Sequence, residues 1–227
     1  MGTPDNIETF YLHKKLLCDS SSYFKAALNN GFAETTSQKI TLDDEDSAVF
    51  RIFASWLYHP IIVLPSEDQE EEHLLKLYLF ADKRGIVNLA NDTITMLASF
   101  WANCRVVKPK TNWIFSEILA SSKLYDLIPD SMFLELRGNY SDTNHLHQAD
   151  LPKSVLVDLL DREMKYRRGL SDVRACILSA CHYHVHGPDG VFTEPECVET
   201  IKKRHNIFEY ESSGDYTQIL WNWDEDE

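Results

Sequence analysis

The densest group of reactive side chains is Cys181-His182-Tyr183-His184-Val185-His186, with Cys176 ahead of it and Cys197 beyond. Thiolate sulfur and imidazole nitrogen are the donors zinc prefers, taken four at a time in a closed tetrahedral site. On an α-helix Cys181 and His184, at i and i+3, share one face, while His182 and His186, at i and i+4, share another. One of these pairs with Cys197 supplies three ligands, and a fourth would have to come from the loop. The competing reading is a helix end, in which Cys176 and Cys181 are small buried hydrophobes and the histidines sit at the negative end of the helix dipole. No open, base-flanked position accompanies the cluster, so any metal would be structural. The sequence reading adopts the helix end and expects no metal ligand and no cofactor.

Nucleophilic catalysis finds less support. Cys18 lies near His13 in sequence, and a reactive thiol needs a neighbouring imidazole, but the spacing does not place the two on one helix face. Carboxylates are plentiful, yet they fall in exposed runs rather than on apolar faces that would shift their pKa values. There is no GxSxG elbow, no phosphate-cradling glycine loop and no HExxH. The chain reads as a non-enzyme without a small-molecule substrate.

The elements that must position these residues follow from periodicity. The chain has 227 residues, 44% of them hydrophobic, enough to bury a sizeable core. A formal charge of −14 opposes phosphate-backbone binding, which needs cations to displace counterions, so no nucleic acid is expected as a partner. The five cysteines fit a reducing compartment, cytoplasmic or nuclear. No apolar run approaches the roughly 20 residues of a membrane span, and no membrane partner is expected.

Phe10 and Leu12 alternate with Tyr11 as on a strand, after which Leu16, Leu17, Tyr23, Phe24, Ala27 and Leu28 recur at helical spacing. Ser20 to Ser22 supply an N-cap between two short helices, and Asn29, Asn30 and Gly31 end the second. A brief strand is expected at 38–42. The acids at 43–46 then introduce a helix whose stripe is Val49, Phe53, Trp56 and Leu57, stopped at Pro60. A short β-rich run at 61–64 and an acidic loop at 65–72 precede a helix at 73–84, terminated by Gly85, and another from 87 to 102.

That order, and the words FYLHKKLLCDSSSYFKAAL (10–28), GFAETTSQKITLDD (31–44), VFRIFASWLYHP (49–60) and LLKLYLFADKRGIVNLAND (74–92), resemble the BTB/POZ domain, most closely the fungal proteins in which one such domain precedes a helical region. The resemblance implies an α+β chain: a BTB/POZ fold of helical hairpins with a small short-stranded sheet over 7–102, followed by an all-α region over 111–187 and an acidic, aromatic tail over 188–227. It also implies that the family's first strand has no counterpart ahead of residue 7, leaving an open edge at 8–12 that invites another strand.

The function so implied is protein–protein interaction, with two expected forms. One is a substrate adaptor for a cullin-based ubiquitin ligase; the other is a transcription-linked oligomerisation scaffold that pairs with another BTB chain. In cullin-recruiting relatives the contacts come from a hydrophobic-x-Glu word after the second helix and from the end of the long helix. Phe32 and Glu34 occupy the first place here and Tyr58 the second. An exposed Phe would be an aromatic anchor and Glu34 an orienting charge; the alternative folds Phe32 back on Phe24 and Leu28.

Beyond Trp101 a linker is expected at 103–111, then a helix from Trp113, a new helical start permitted by Pro129, and a helix from Pro152 with the stripe Val155, Leu156, Leu159, Leu160 and Met164. A last helix is expected from Ser171 or Asp172, with Val173, Cys176, Ile177 and Ala180 inward and Gly187-Pro188 ending it. The closing ILWNWDEDE sets Trp221 and Trp223 beside acids, a composition suited to docking on a partner or equally to packing on the helical region, with both tryptophans on one face of a terminal strand.

Overall fold

The structure, a computed structural model, describes residues 8–65, 70–103, 113–137, 151–168, 181–186 and 197. It divides into two compact units, Met1–Thr93 and Ile94–Glu227, so the division falls inside one helix.

In the first unit α1 (Lys14–Ser20) and α2 (Ser22–Asn29) form the expected pair of short helices. Ser21 is the cap the serine cluster promised: its hydroxyl accepts the Phe24 N–H at 3.1 Å and donates to the Arg84 carbonyl at 2.6 Å. Gly31, at φ +81°, follows the end of α2. A short helix not expected from periodicity, α3 (Ala33–Ser37), comes next. Then α4 (Ser47–Tyr58) opens on Asp46, whose carboxylate accepts the Ala48 N–H at 2.9 Å, and ends before Pro60.

The helix α5 (Glu70–Lys83) starts earlier than the sequence suggested. Glu70, Glu71 and Glu72 form its first turn rather than a loop, because acids are favoured at the positive end of the helix dipole. Gly85 ends it at φ +59°, with Gly85 N–H bonded to the Asp82 carbonyl and Ile86 N–H to the Ala81 carbonyl. The long helix α6 (Val87–Asn103) follows.

The core of this unit is aromatic. Phe53 stacks on Phe24 with ring centroids 6.0 Å apart and meets Phe80 at 5.0 Å. Phe50 lies 5.8 Å from Phe80 and 4.7 Å from Phe10. Phe10 packs while Tyr11 is 92% exposed, so the alternation at 10–12 is real. It does not make a strand. Among the described residues no β-ladder forms at 10–12, 38–42 or 61–64, and the small sheet expected from the resemblance is not observed. Alternation specifies which side chains face inward, but a strand exists only through hydrogen bonds to a partner strand.

In the second unit, α7 (Ile114–Glu117) and α8 (Lys123–Arg137) bury Ile114, Leu124, Leu127, Ile128, Met132 and Phe133. Pro129 lies inside α8 instead of starting a new helix. A proline in a helix interior costs about 3 kcal/mol, whereas each fully buried Leu, Ile, Met or Phe contributes about 1.5–3 kcal/mol. The five large side chains from Leu124 to Phe133 therefore outweigh it.

The helix α9 (Lys153–Arg167) has Pro152 as its N-cap and packs on α8. Its stripe is mostly outward: Val155 is fully buried, but Leu156, Leu160 and Met164 are 48%, 65% and 52% exposed. The expected last helix from Ser171 or Asp172 and the tail, with Trp221 and Trp223, lie outside the described residues, as does most of the expected linker. Among the described residues no helix is long and apolar enough to cross a membrane.

Candidate functional site

Phe32 is projected by a small hydrogen-bonded turn. Gly31 takes the left-handed conformation that a side chain would disfavour. The Thr35 hydroxyl accepts the Gly31 N–H at 3.0 Å and donates to the Ala27 carbonyl at 3.1 Å, tying α3 to the last turn of α2. Phe32 precedes α3 and is 57% exposed, so it does not fold back into the core formed by Phe24 and Leu28, which are 2% and 5% exposed. Glu34 stands in the first turn of α3, half-buried.

Tyr58, the last residue of α4, has its hydroxyl engaged within the unit. It accepts the His13 backbone N–H at 3.1 Å and lies 2.8 Å from His13 Nδ1, while the phenol ring remains 40% exposed. His13 in turn is the N-cap residue of α1 and its carbonyl accepts the Leu17 N–H. Cys18 has different neighbours, the Phe24 carbonyl and the Asn29 amide, neither of them an imidazole.

The same unit carries several charge pairs. Arg84 pairs with Glu45 at 2.7 Å, with both side chains largely covered, and its guanidinium lies over the rings of Tyr23 and Phe80. Arg51 holds Glu8 through two nitrogens, and its guanidinium keeps the Glu8 carboxyl below the usual carboxylate range. Burial works against ionisation of Asp46, but the Ala48 N–H and the Lys76 ammonium together hold its carboxyl below the usual range.

The second unit contains a different constellation. Cys181, His184, His186 and Cys197 each turn one donor atom inward, and these atoms all lie within 4.8 Å of one another. Residues Cys181–Tyr183 form a 3-10 turn rather than the end of an α-helix. Its three-residue period eclipses Cys181 and His184, and the His184 N–H closes the turn on the Cys181 carbonyl at 3.1 Å. Helical bonding then stops. His186 falls on the same side as His184, with exposed Val185 between them and the two imidazoles 6.2 Å apart. His182, grouped with His186 by helical spacing, is exposed instead.

Helical spacing pairs His186 with His182 and so misses it as the companion of Cys181 and His184, because i and i+2 are not neighbours on an α-helix but are in a chain of period two. Thr95 was missed as well. Its hydroxyl oxygen lies 2.9 Å from His184 Nε2, and both residues are buried. No local signal connects residues so far apart in sequence.

No curated protein matches the chain. A family model does: residues 5–97 match the one described as the BTB/POZ domain.

Proposed function

With a BTB/POZ domain at residues 5–97, an interaction module rather than an enzyme, we propose that the protein is a substrate adaptor of a cullin-based ubiquitin ligase. The single observation that carries this reading is Phe32, a large aromatic side chain 57% exposed on a turn braced by Thr35. Burying an exposed aromatic in a partner's groove is the commonest way a few residues dominate an interface. Glu34 supplies a charge that orients the approach, and the exposed ring of Tyr58 adds contact area. The target would be held by the helical second unit, where α9 presents Leu156, Leu160 and Met164 to solvent.

The test is capture of a cullin N-terminal domain by the wild type and by the double variant Phe32→Ala, Glu34→Lys. Binding by the wild type that the variant loses supports the reading. Equal capture by both, or none by either, removes it.

A second reading, an oligomerising scaffold of transcription complexes, is favoured by a different observation. Residues 8–12 have no ladder partner among the described residues and carry Tyr11 at 92% exposure, with Ile61 and Val63 also exposed. Such a segment can pair with a second copy. Light scattering at micromolar protein decides: a strict monomer sinks the scaffold reading and leaves the adaptor untouched. Either form would work in the cytosol or nucleus, where the five cysteines would stay reduced.

A further inference from the structure

We propose that Cys181, His184, His186 and Cys197 bind one zinc ion as a closed structural site in the second unit, outside the region that matches the BTB/POZ domain. Zinc at about 2.3 Å from sulfur and about 2.0 Å from imidazole nitrogen spans tetrahedral edges of about 3.3–3.8 Å. Two edges of this cluster, His184 Nδ1 to Cys197 Sγ and Cys181 Sγ to His186 Nε2, measure 3.0 and 3.3 Å, and no edge exceeds 4.8 Å. Those two edges lie within a few tenths of an ångström of a tetrahedral site's, and an edge at the 4.8 Å limit would need to shorten by about 1 Å.

Zinc takes these donors in the form of two thiolates and two neutral imidazoles, and binding releases the two thiol protons to solvent. Divalent zinc and two thiolates sum to zero, which suits a site where Cys181, His184 and Cys197 are 4–6% exposed. All four positions are filled by protein, leaving no place for water or substrate, as in structural rather than catalytic zinc sites. The same burial removes Cys181 and Cys197 from the approach of an external electrophile.

A ligating imidazole characteristically donates its other N–H to a fixed acceptor, which sets its tautomer and ring orientation. With Nδ1 of His184 turned to the cluster, Nε2 carries the proton and Thr95 Oγ1 receives it at 2.9 Å. Thr95, 2% exposed on α6, is thus a positioning residue. The ion would pin Cys197 to the turn at 181–186, where neither Cys181 nor Cys197 is held by a disulfide.

The full chain, expressed without added metal and purified without chelator, should carry about one zinc by elemental analysis, the stoichiometry of a four-ligand site. After chelation and exchange, Co(II) should give the intense visible bands of a tetrahedral ion together with a thiolate-to-cobalt charge-transfer band. Cys197→Ser and His186→Asn should lose the stoichiometric metal, and His182→Asn, adjacent in sequence but outside the cluster, should keep it. Thr95→Val should retain the tetrahedral spectrum with affinity lowered about 10- to 100-fold. Because Cys197→Ser could unfold for other reasons, the wild-type cobalt spectrum stands as an independent readout. A wild type without zinc whose cobalt form lacks thiolate charge transfer overturns the assignment. So does equal metal loss in His182→Asn and Cys197→Ser.

Discussion

The Tyr58 hydroxyl accepts the backbone N–H of His13 at 3.1 Å and lies 2.8 Å from His13 Nδ1, so the end of α4 is fastened to the residue that begins α1. The backbone N–H fixes the hydroxyl as an acceptor there and leaves its own hydrogen for the imidazole nitrogen. Tyr58→Phe removes both bonds and keeps the ring edge that faces His13. The expected loss is about 1–2 kcal/mol by denaturant melting, since a net intramolecular hydrogen bond is worth about 1 kcal/mol. His13→Ala should cost less in the Tyr58→Phe background than in the wild type, because both changes break the same contact between imidazole and hydroxyl. If the partner surface uses the phenol ring, cullin capture survives Tyr58→Phe and weakens in Tyr58→Ala; capture unchanged in both would place Tyr58 in the fold alone.

Ser21 and Gly85 make a second junction. Ser21 caps α2 and satisfies the Arg84 carbonyl from a position 2% exposed to solvent. Ser21→Ala loses a cap, about 1 kcal/mol, and orphans a carbonyl at about 1–3 kcal/mol. Gly85→Ala should be at least as damaging. It forces a side chain into the left-handed region at φ +59°, and its Cβ would fall 2.3 Å from the Ser22 hydroxyl. Ser22→Gly in the Gly85→Ala background should recover the steric part and leave the conformational part, a separation that thermal melting of the three variants measures.

These junctions mark how far the sequence could be read. Ser21, Asp46, Gly31 and Gly85 were legible because caps and left-handed turns are local demands on residue type. The stripe of Val49, Phe53 and Trp56 was legible because one face of α4 meets a continuous core. Strands at 10–12, 38–42 and 61–64 could not be settled locally, since pairing is a property of two segments. Leu156, Leu160 and Met164 had helical spacing, but Val155 takes the buried place on α9. The metal-site geometry was half legible: donor types were in the sequence, and the change from a 3.6 to a 3.0 period at 181–183 was not.

Asp46 links helix capping to pH. Its carboxylate receives the Ala48 N–H and lies 3.3 Å from Lys76, and its folded pKa is below that of a free aspartate despite partial burial. A depressed folded pKa adds stability above the unfolded value, lost as pH falls through the folded one. Asp46→Ala should therefore cost about 1 kcal/mol at neutral pH, the usual worth of an N-cap, and the difference from the wild type should shrink below the ordinary carboxylate range. Asp46→Asn keeps a capping oxygen without the charge, so it should sit between the two at neutral pH and meet the wild type in acid. A gap between wild type and Asp46→Asn that stays constant from neutral to acid pH would show that the charge contributes nothing.

Asp130 does for the second unit what Ser21 does for the first. One carboxylate oxygen receives Arg162 Nε from α9, and the other receives the Tyr183 hydroxyl at 2.7 Å. Tyr183 is fully buried between Cys181 and His184, so Asp130 sets the orientation of the turn that carries two of the proposed zinc ligands. Asp130→Ala removes the carboxylate from a largely covered guanidinium and from a buried hydroxyl, and about 3 kcal/mol is expected, the low end for breaking a buried pair. Amide exchange should show the loss as reduced protection in α8 and α9, with α2 and α4 of the first unit unchanged. Zinc should then restore part of it, because a ligand bound only by the folded form stabilises that form in proportion to the logarithm of its concentration. Protection that falls equally in α4 and α8 would contradict a role confined to this unit, and protection that ignores added zinc would separate Asp130 from the metal site.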